Sequence, residues 1–256
     1  MKSDSELTRA EREKKAYEEE GLWDASNKWH ARFSHVFFSP NSKRYDDLFY
    51  KLISDHIVGK AGLEVGCADG LASKHAFDLG AQYVLGVDVS QDFISKAKSI
   101  EKPGKLEFRC ADAGEAIDGN FDAIFGRSIL HHIDYRSVLR NLFDHNLKAG
   151  GVMVFMEPLG ANPLIRLYSL VARSAHTPDE QSFLRSDLRW FKSTYPRVKI
   201  YPFNLVSFPA GVLSSLMFKN PNNLLLQLAD RVDEWFAQNF DLLTPYFRHC
   251  LVVIRK

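Results

Sequence analysis

The 256-residue chain carries 45% hydrophobic and 25% charged residues, which excludes wholesale disorder and a fibrous repeat. At roughly 100–200 residues per domain it is one generous domain or a core with appendages. Thirty-three basic residues against thirty-two acidic ones give a net charge of +1, which supplies no global field for nucleic acid or an anionic bilayer.

Met1 to Glu20 is almost wholly charged and polar and reads as a solvated helix or a partly disordered arm. Trp23, Trp29, Phe33, Phe37 and Phe38 then arrive close together and need a surface to pack on. Leu48, Phe49, Leu52, Ile53 and Ile57 recur at three- and four-residue intervals and predict an amphipathic helix over Tyr45 to Val58, ended by Gly59 and Gly62. From there strands alternate with helices. Strands are expected at Gly62–Val65, Tyr83–Val87, Leu106–Cys110, Phe121–Phe125 and Val152–Met156. Helices are expected at Leu71–Leu79, after a Ser90 cap, and at Tyr135–Leu147. Strict alternation implies a doubly wound α/β sheet of parallel strands, with ligands beyond the carboxyl ends of the strands. Beyond Pro158 a capping box is expected at Thr177-Pro178-Asp179-Glu180, a helix at Asp187–Tyr195, and two more strands at Arg197–Phe203 and Tyr246–Ile254.

The most informative string is Leu63-Glu64-Val65-Gly66-Cys67-Ala68-Asp69-Gly70. Gly66 and Gly70 bracket a tight turn from strand to helix, and small Cys67 and Ala68 let a ligand approach the backbone. A dinucleotide fingerprint would read G-x-G-x-x-G, whereas here the middle glycine is alanine and the final spacing is short. A Walker loop would need Gly-Lys-Ser/Thr, so polyphosphate is disfavoured too. Asp88, at the end of the second strand, is placed to accept hydrogen bonds from ribose hydroxyls, and Asp112, closing the third, from an adenine amino group.

These segments, followed by Phe121-Asp122-Ala123-Ile124, Ile129-Leu130-His131-His132-Ile133 and Leu147-Lys148-Ala149-Gly150-Gly151, resemble the ordered motifs of class I S-adenosylmethionine-dependent methyltransferases over about Lys60 to Pro158. The resemblance implies a Rossmann-like, mostly parallel seven-stranded sheet with the last strand antiparallel. Residues 1–58 would be a helical N-terminal extension or lid on a domain at 59–256, with insertions near 160–176 and 209–240. It implies that Glu64, Gly66, Cys67, Ala68 and Gly70 meet the methionine and ribose parts of S-adenosyl-L-methionine. Asp88 with Val89 would take the ribose, Asp112 with Ala113 the adenine, and Arg127 and Ser128 would line the pocket. The departure is Ala68, where many members have glycine.

The implied reaction is in-line methyl transfer to an oxygen or nitrogen of a small metabolite, lipophilic or aromatic in character. His131 and His132 are the candidate general bases, since imidazole titrates near neutrality. His30, His35, Tyr17 and Tyr168 are rivals, and Glu157 is either a substrate contact or structural. Two alternatives stay open: a non-catalytic protein binding S-adenosylmethionine or its demethylated product, and a nicotinamide-dependent oxidoreductase. No acid–histidine cluster shows metal spacing, so no metal is expected. Gly211 to Phe240 reads as a pocket wall, a homodimer contact or a lipid-facing surface, and its few positive charges disfavour the last. No basic stripe suggests nucleic acid. Cys67, Cys110 and Cys250 are odd in number and far apart, so no disulfide framework is expected, and no apolar run reaches the ~18–20 residues of a membrane span. With the charged, unleader-like opening, these features point to a cytoplasmic protein without stable membrane insertion.

Overall fold

The computed structural model describes residues 7–19, 27–28, 30–165, 167 and 180–256. Strands β1 (Ala61–Val65), β2 (Tyr83–Asp88), β3 (Leu106–Cys110), β4 (Phe121–Arg127), β5 (Leu147–Pro158), β6 (Val198–Phe203) and β7 (His249–Arg255) form a seven-stranded sheet ordered β3-β2-β1-β4-β5-β7-β6. The first five pair in parallel, and β7 runs antiparallel between β5 and β6. The central strands are apolar on both faces because helices cover both. On one face α6 (Tyr135–Asn141) and α7 (Arg185–Thr194) bring Val138, Leu139, Leu188 and Phe191 onto Leu63, Val65, Leu85 and Val87. On the other, α3 (Pro40–Ile57), which follows the short α2 (Ser34–Phe37), joins α4 (Leu71–Asp78) and α5 (Gln91–Ala97) in bringing Phe49, Ile53, Ala76 and Ile94 onto Val84, Phe108 and Phe125.

Several expected boundaries move, each for a local reason. The helix expected from Tyr45 begins at Pro40, because Ser39 accepts from the Ser42 amide and proline sits at the first helical position. Strict alternation fails between β3 and β4. Residues 111–120 form no helix, since two glycines and two aspartates leave no apolar stripe, and the Asn146 side chain instead donates to Ile117 O and Gly119 O. The helix from Tyr135 stops being α-helical at Asn141 and continues as a π-turn over Leu142–Asn146. β7 starts at His249, not Tyr246, because a 3₁₀ turn occupies Asp241–Tyr246. The Ser90 cap forms as expected, its hydroxyl accepting from Phe93 N–H. The capping residues Thr177 to Asp179, together with Trp23, Trp29 and Tyr168, lie outside the described residues.

Two helices fill the segment between β6 and β7, α8 (Ser207–Met217) and α9 (Leu224–Asn239). α9 buries Asp230 and Asp233 beside Leu226 and Ala229, while Leu224, Leu228, Val232 and Trp235 face outward. Asp230 accepts from Asn41 Nδ2 at 2.8 Å and pairs with Arg44 of α3. Asp233 takes the amides of Leu205, Val206 and Ser207, which lead the chain into α8.

At the other end of the chain, α1 (Arg9–Glu18) opens with a capping box between Thr8 and Glu11. It is not a solvated arm. Glu13 and Ala16 are buried, and both ends are pinned to the body. The Arg9 guanidinium donates to His131 O at 2.7 Å and Ile133 O at 3.2 Å, while Glu18 accepts from the Ser90 hydroxyl at 2.7 Å.

Candidate active site

The strand order reverses between β1 and β4, and crossovers leave to opposite faces there, opening a crevice at the carboxyl ends of the strands. A cavity of about 810 Å³ occupies that crevice, beneath α1.

One wall is built from the turn after β1. Gly66 and Gly70 both adopt left-handed φ angles of 71° and 80°. A Cβ on Gly66 would meet Ile129 at 2.7 Å, and one on Gly70 the Phe108 ring at 2.6 Å, so packing as well as dihedral demands glycine. Ala68 is also left-handed, at φ 45°, a conformation that costs an L-residue about 1–2 kcal/mol and explains why glycine suits the position. Its amide donates to Asp88 Oδ2 at 2.9 Å, and Ser90 N–H donates to Oδ1 at 2.9 Å. Each carboxylate oxygen thus retains a lone pair. Burial pushes the Asp88 pKa up, against the pull of these amides.

Of the residues expected at a cofactor, Gly66, Ala68, Asp88, Val89, Asp112, Ala113, Arg127 and Ser128 line the cavity. Glu64, Cys67 and Gly70 are not among its lining residues. Cys67 turns its side chain into the core on the α4 face, and burial raises its thiol pKa, as a space-filler. Glu64 is buried behind the turn, where Ser73 Oγ donates to it.

Burial pushes the Glu64 pKa up to about 8, against the Ser73 hydrogen bond and the Arg127 charge. A carboxyl with a raised folded-state pKa stabilises the fold while it is protonated. That contribution is full below the unfolded value of 4.5 and is lost as pH climbs to about 8. Glu64→Gln, neutral throughout, lacks this slope. Its melting temperature relative to wild type is therefore expected to rise between pH 5 and 8 and to level off above, by the equivalent of a few kcal/mol. A difference independent of pH would show that Glu64 is ionised in the fold.

The opposite wall carries His131 and His132, on a 3₁₀ turn after β4. Glu157, at the end of β5, is structural in a specific way. Its Oε1 accepts the amides of Ile129 and Leu130, and its Oε2 lies 2.7 Å from His131 Nδ1. His132 Nδ1 is 2.9 Å from Glu13 of α1, and its Nε2 is 3.9 Å from Glu180. Burial lowers the His132 pKa, but Glu13 and then Glu180 and Glu157 outweigh it, so the net shift is upward. Tyr17, also on α1, sits edge-on to the His132 ring at 6.2 Å, its phenol pKa raised by burial and then by Glu180, Glu13 and Asp88. His30 reaches the cavity, whereas His35 is buried against Ser214 of α8, away from it. Phe37 and Phe208 supply an apolar end, with the Arg248 guanidinium over the Phe37 ring.

Sequence reasoning missed Glu13 and Arg9. The stripe Arg9, Glu13, Ala16 and Tyr17 has helical spacing, but two of its four members are charged, so it carries no apolar signal.

Comparison with known proteins agrees with this geometry. Residues 63–153 match a family model described as a methyltransferase domain. A ubiquinone biosynthesis O-methyltransferase of Dechloromonas aromatica is 31% identical over 120 residues, which cover 45% of this chain and 51% of that protein. The chain thus spans about half the length of the curated relatives it matches. Among solved structures, phosphoethanolamine N-methyltransferase 2 of Haemonchus contortus, determined with S-adenosyl-L-methionine, superposes with a TM-score of 0.60 at 15% identity. That alignment covers 98% of this chain and 60% of the other. The [4+2]-cyclase SpnF superposes with a TM-score of 0.51 at 16% identity, covering 82% and 80% of the two chains.

Proposed function

From the premise that residues 63–153 form the core of a class I S-adenosylmethionine-dependent methyltransferase, we propose that this chain transfers the methyl group of S-adenosyl-L-methionine to an oxygen or nitrogen of a small metabolite. The observation that carries this reading is the placement of Asp88, with two lone pairs to spare, in one cavity with the His131–His132 wall. The residues fit the cofactor. Asp88 would accept from the ribose hydroxyls, the Gly66 and Ala68 backbone would allow close approach, and Val89 and Ala113 would flank the adenine. Asp112 keeps Oδ2 for the adenine amino group, its Oδ1 being taken by Gly114 N–H.

The bound cofactor supplies a methyl group on a cationic sulfur, already an excellent electrophile. The chain's own work is alignment, proton removal and exclusion of water. α1 lies over the cavity and serves as its lid, held at both ends by Arg9 and Glu18. The histidine–carboxylate wall receives the acceptor's reacting atom and its proton. Phe37 and Phe208 favour an aromatic or lipophilic acceptor, in keeping with relatives named for ubiquinone biosynthesis.

A non-methylating reading has one supporting observation, a fold neighbour named as a cyclase. Calorimetric titration with S-adenosylmethionine and with NAD, followed by incubation with methyl-labelled cofactor and a metabolite extract, separates the readings. Binding of S-adenosylmethionine but not NAD, and label in an extracted metabolite, is the expected result. Binding without label across broad extracts points to the binder, and absence of S-adenosylmethionine binding removes the proposal.

A further inference from the structure

His131, His132 and Glu180 meet at the cavity wall, with one ligand atom from each lying within 4.8 Å of the others. The two rings are neighbours, 4.1 Å between centroids. Glu180 is brought to them by the backbone, since the next amide, Gln181 N–H, donates to His131 O at 3.1 Å.

Each ring has a carboxylate behind it. Glu157 Oε2 stands 2.7 Å from His131 Nδ1, and Glu13 Oε2 stands 2.9 Å from His132 Nδ1. A carboxylate only accepts, so Glu157 holds the proton on His131 Nδ1 and leaves Nε2 as the nitrogen with a lone pair, while Glu13 stands at ion-pair distance from a His132 Nδ1 that makes no hydrogen bond among the described residues. Histidines that bind metals are held in this way almost without exception, because the carboxylate fixes the tautomer and raises the basicity of the ligating nitrogen. Two Nε2 atoms and one carboxylate make the two-histidine, one-carboxylate set that suits a divalent transition metal and leaves open positions for a further ligand. The charge agrees, for Glu13, Glu157 and Glu180 surround two imidazoles at a largely buried wall.

We propose that His131, His132 and Glu180 form a binding site for one divalent transition metal ion of the zinc, cobalt or manganese type, facing the cavity. Metal–nitrogen bonds of about 2.0–2.1 Å require the three side chains to close on the ion by somewhat over an ångström. Glu180 is only partly buried and supplies most of that movement. With the ion bound both Nε2 atoms are occupied, so the ion, in place of a free imidazole, would meet an acceptor oxygen or nitrogen. Ion binding itself does not depend on the methyl-transfer reading.

The test uses the full chain, stripped with a chelator and titrated with cobalt(II) chloride without S-adenosylmethionine. Calorimetry and visible absorption read the result. One ion per chain with ligand-field bands is expected. Glu180→Gln should weaken binding at least tenfold, and Glu157→Gln, which touches no ion, by about 10–100-fold through His131. Circular dichroism of the metal-free variants establishes that each is folded, and His132→Gln serves if one is not. Substoichiometric cobalt, or affinity unchanged in folded Glu180→Gln, overturns the proposal. S-adenosylmethionine titration of the stripped protein separates its failure from that of the methyl-transfer reading.

Discussion

Asp88→Asn is expected to weaken S-adenosylmethionine binding by about 30- to 1,000-fold while leaving the fold intact. Hydrogen bonds to a charged acceptor contribute about 1.5–3 kcal/mol each, and two ribose hydroxyls share this carboxylate in the proposed complex. Asparagine keeps one carbonyl oxygen, so part of the interaction survives, and a net loss of about 2–4 kcal/mol converts to that range. The amides of Ala68 and Ser90 now meet a neutral side chain, with one acceptor between them. Asp88→Ala goes further. It leaves both amides without this partner, releases the left-handed turn at Ala68, and should take binding below detection by calorimetry. Affinity within threefold of wild type in Asp88→Asn, measured by titration calorimetry, would refute the assignment of this wall to the cofactor.

Asp233→Ala is expected to cost about 3–5 kcal/mol of stability, because it leaves several donors without their acceptor at about 1–3 kcal/mol each. The side chain is 1% exposed and accepts from three consecutive amides and the Ser207 hydroxyl. Removing it takes the acceptor from the amides of Leu205, Val206 and Ser207 at the entry to α8. For a chain of this size the melting temperature should fall by roughly 10 °C. Hydrogen exchange should rise first in α8, which carries Phe208 at the cavity wall. Asp233→Asn, which retains an acceptor on the same stem, should lose clearly less. A drop of less than about 1 kcal/mol in the alanine variant would mean that other groups satisfy these amides.

The cofactor half was legible because its signals are local. Gly66, Gly70 and Asp88 lie at strand ends, where a left-handed turn and a spare carboxylate follow from position along the chain. The opposite wall was legible only in part. His131 and His132 stood out, but Glu13, Glu157 and Glu180 come from three distant segments and meet only around the folded sheet. The inward stripe of α1 mixes Arg9 and Glu13 with Ala16 and Tyr17, and α9 buries Asp230 and Asp233 beside Leu226 and Ala229 while exposing Leu224 and Leu228. In both helices the usual rule of apolar residues inside is followed only in part. Glu64 and Cys67 stand beside Gly66, yet strand alternation and the turn aim them behind the wall.

By itself the sequence determined the seven strands, the parallel core, the turn after β1 and the acid after β2. Period-two and period-3.6 hydrophobic patterns and glycine sterics act over a few residues and need no knowledge of the rest of the chain. Tertiary structure alone decided which carboxylate stands behind which histidine, that α1 crosses the cavity, and that Glu180 joins the His131–His132 pair. Those outcomes depend on loop closure and on long-range satisfaction of buried polar groups, which leave no periodic trace in the order of residues.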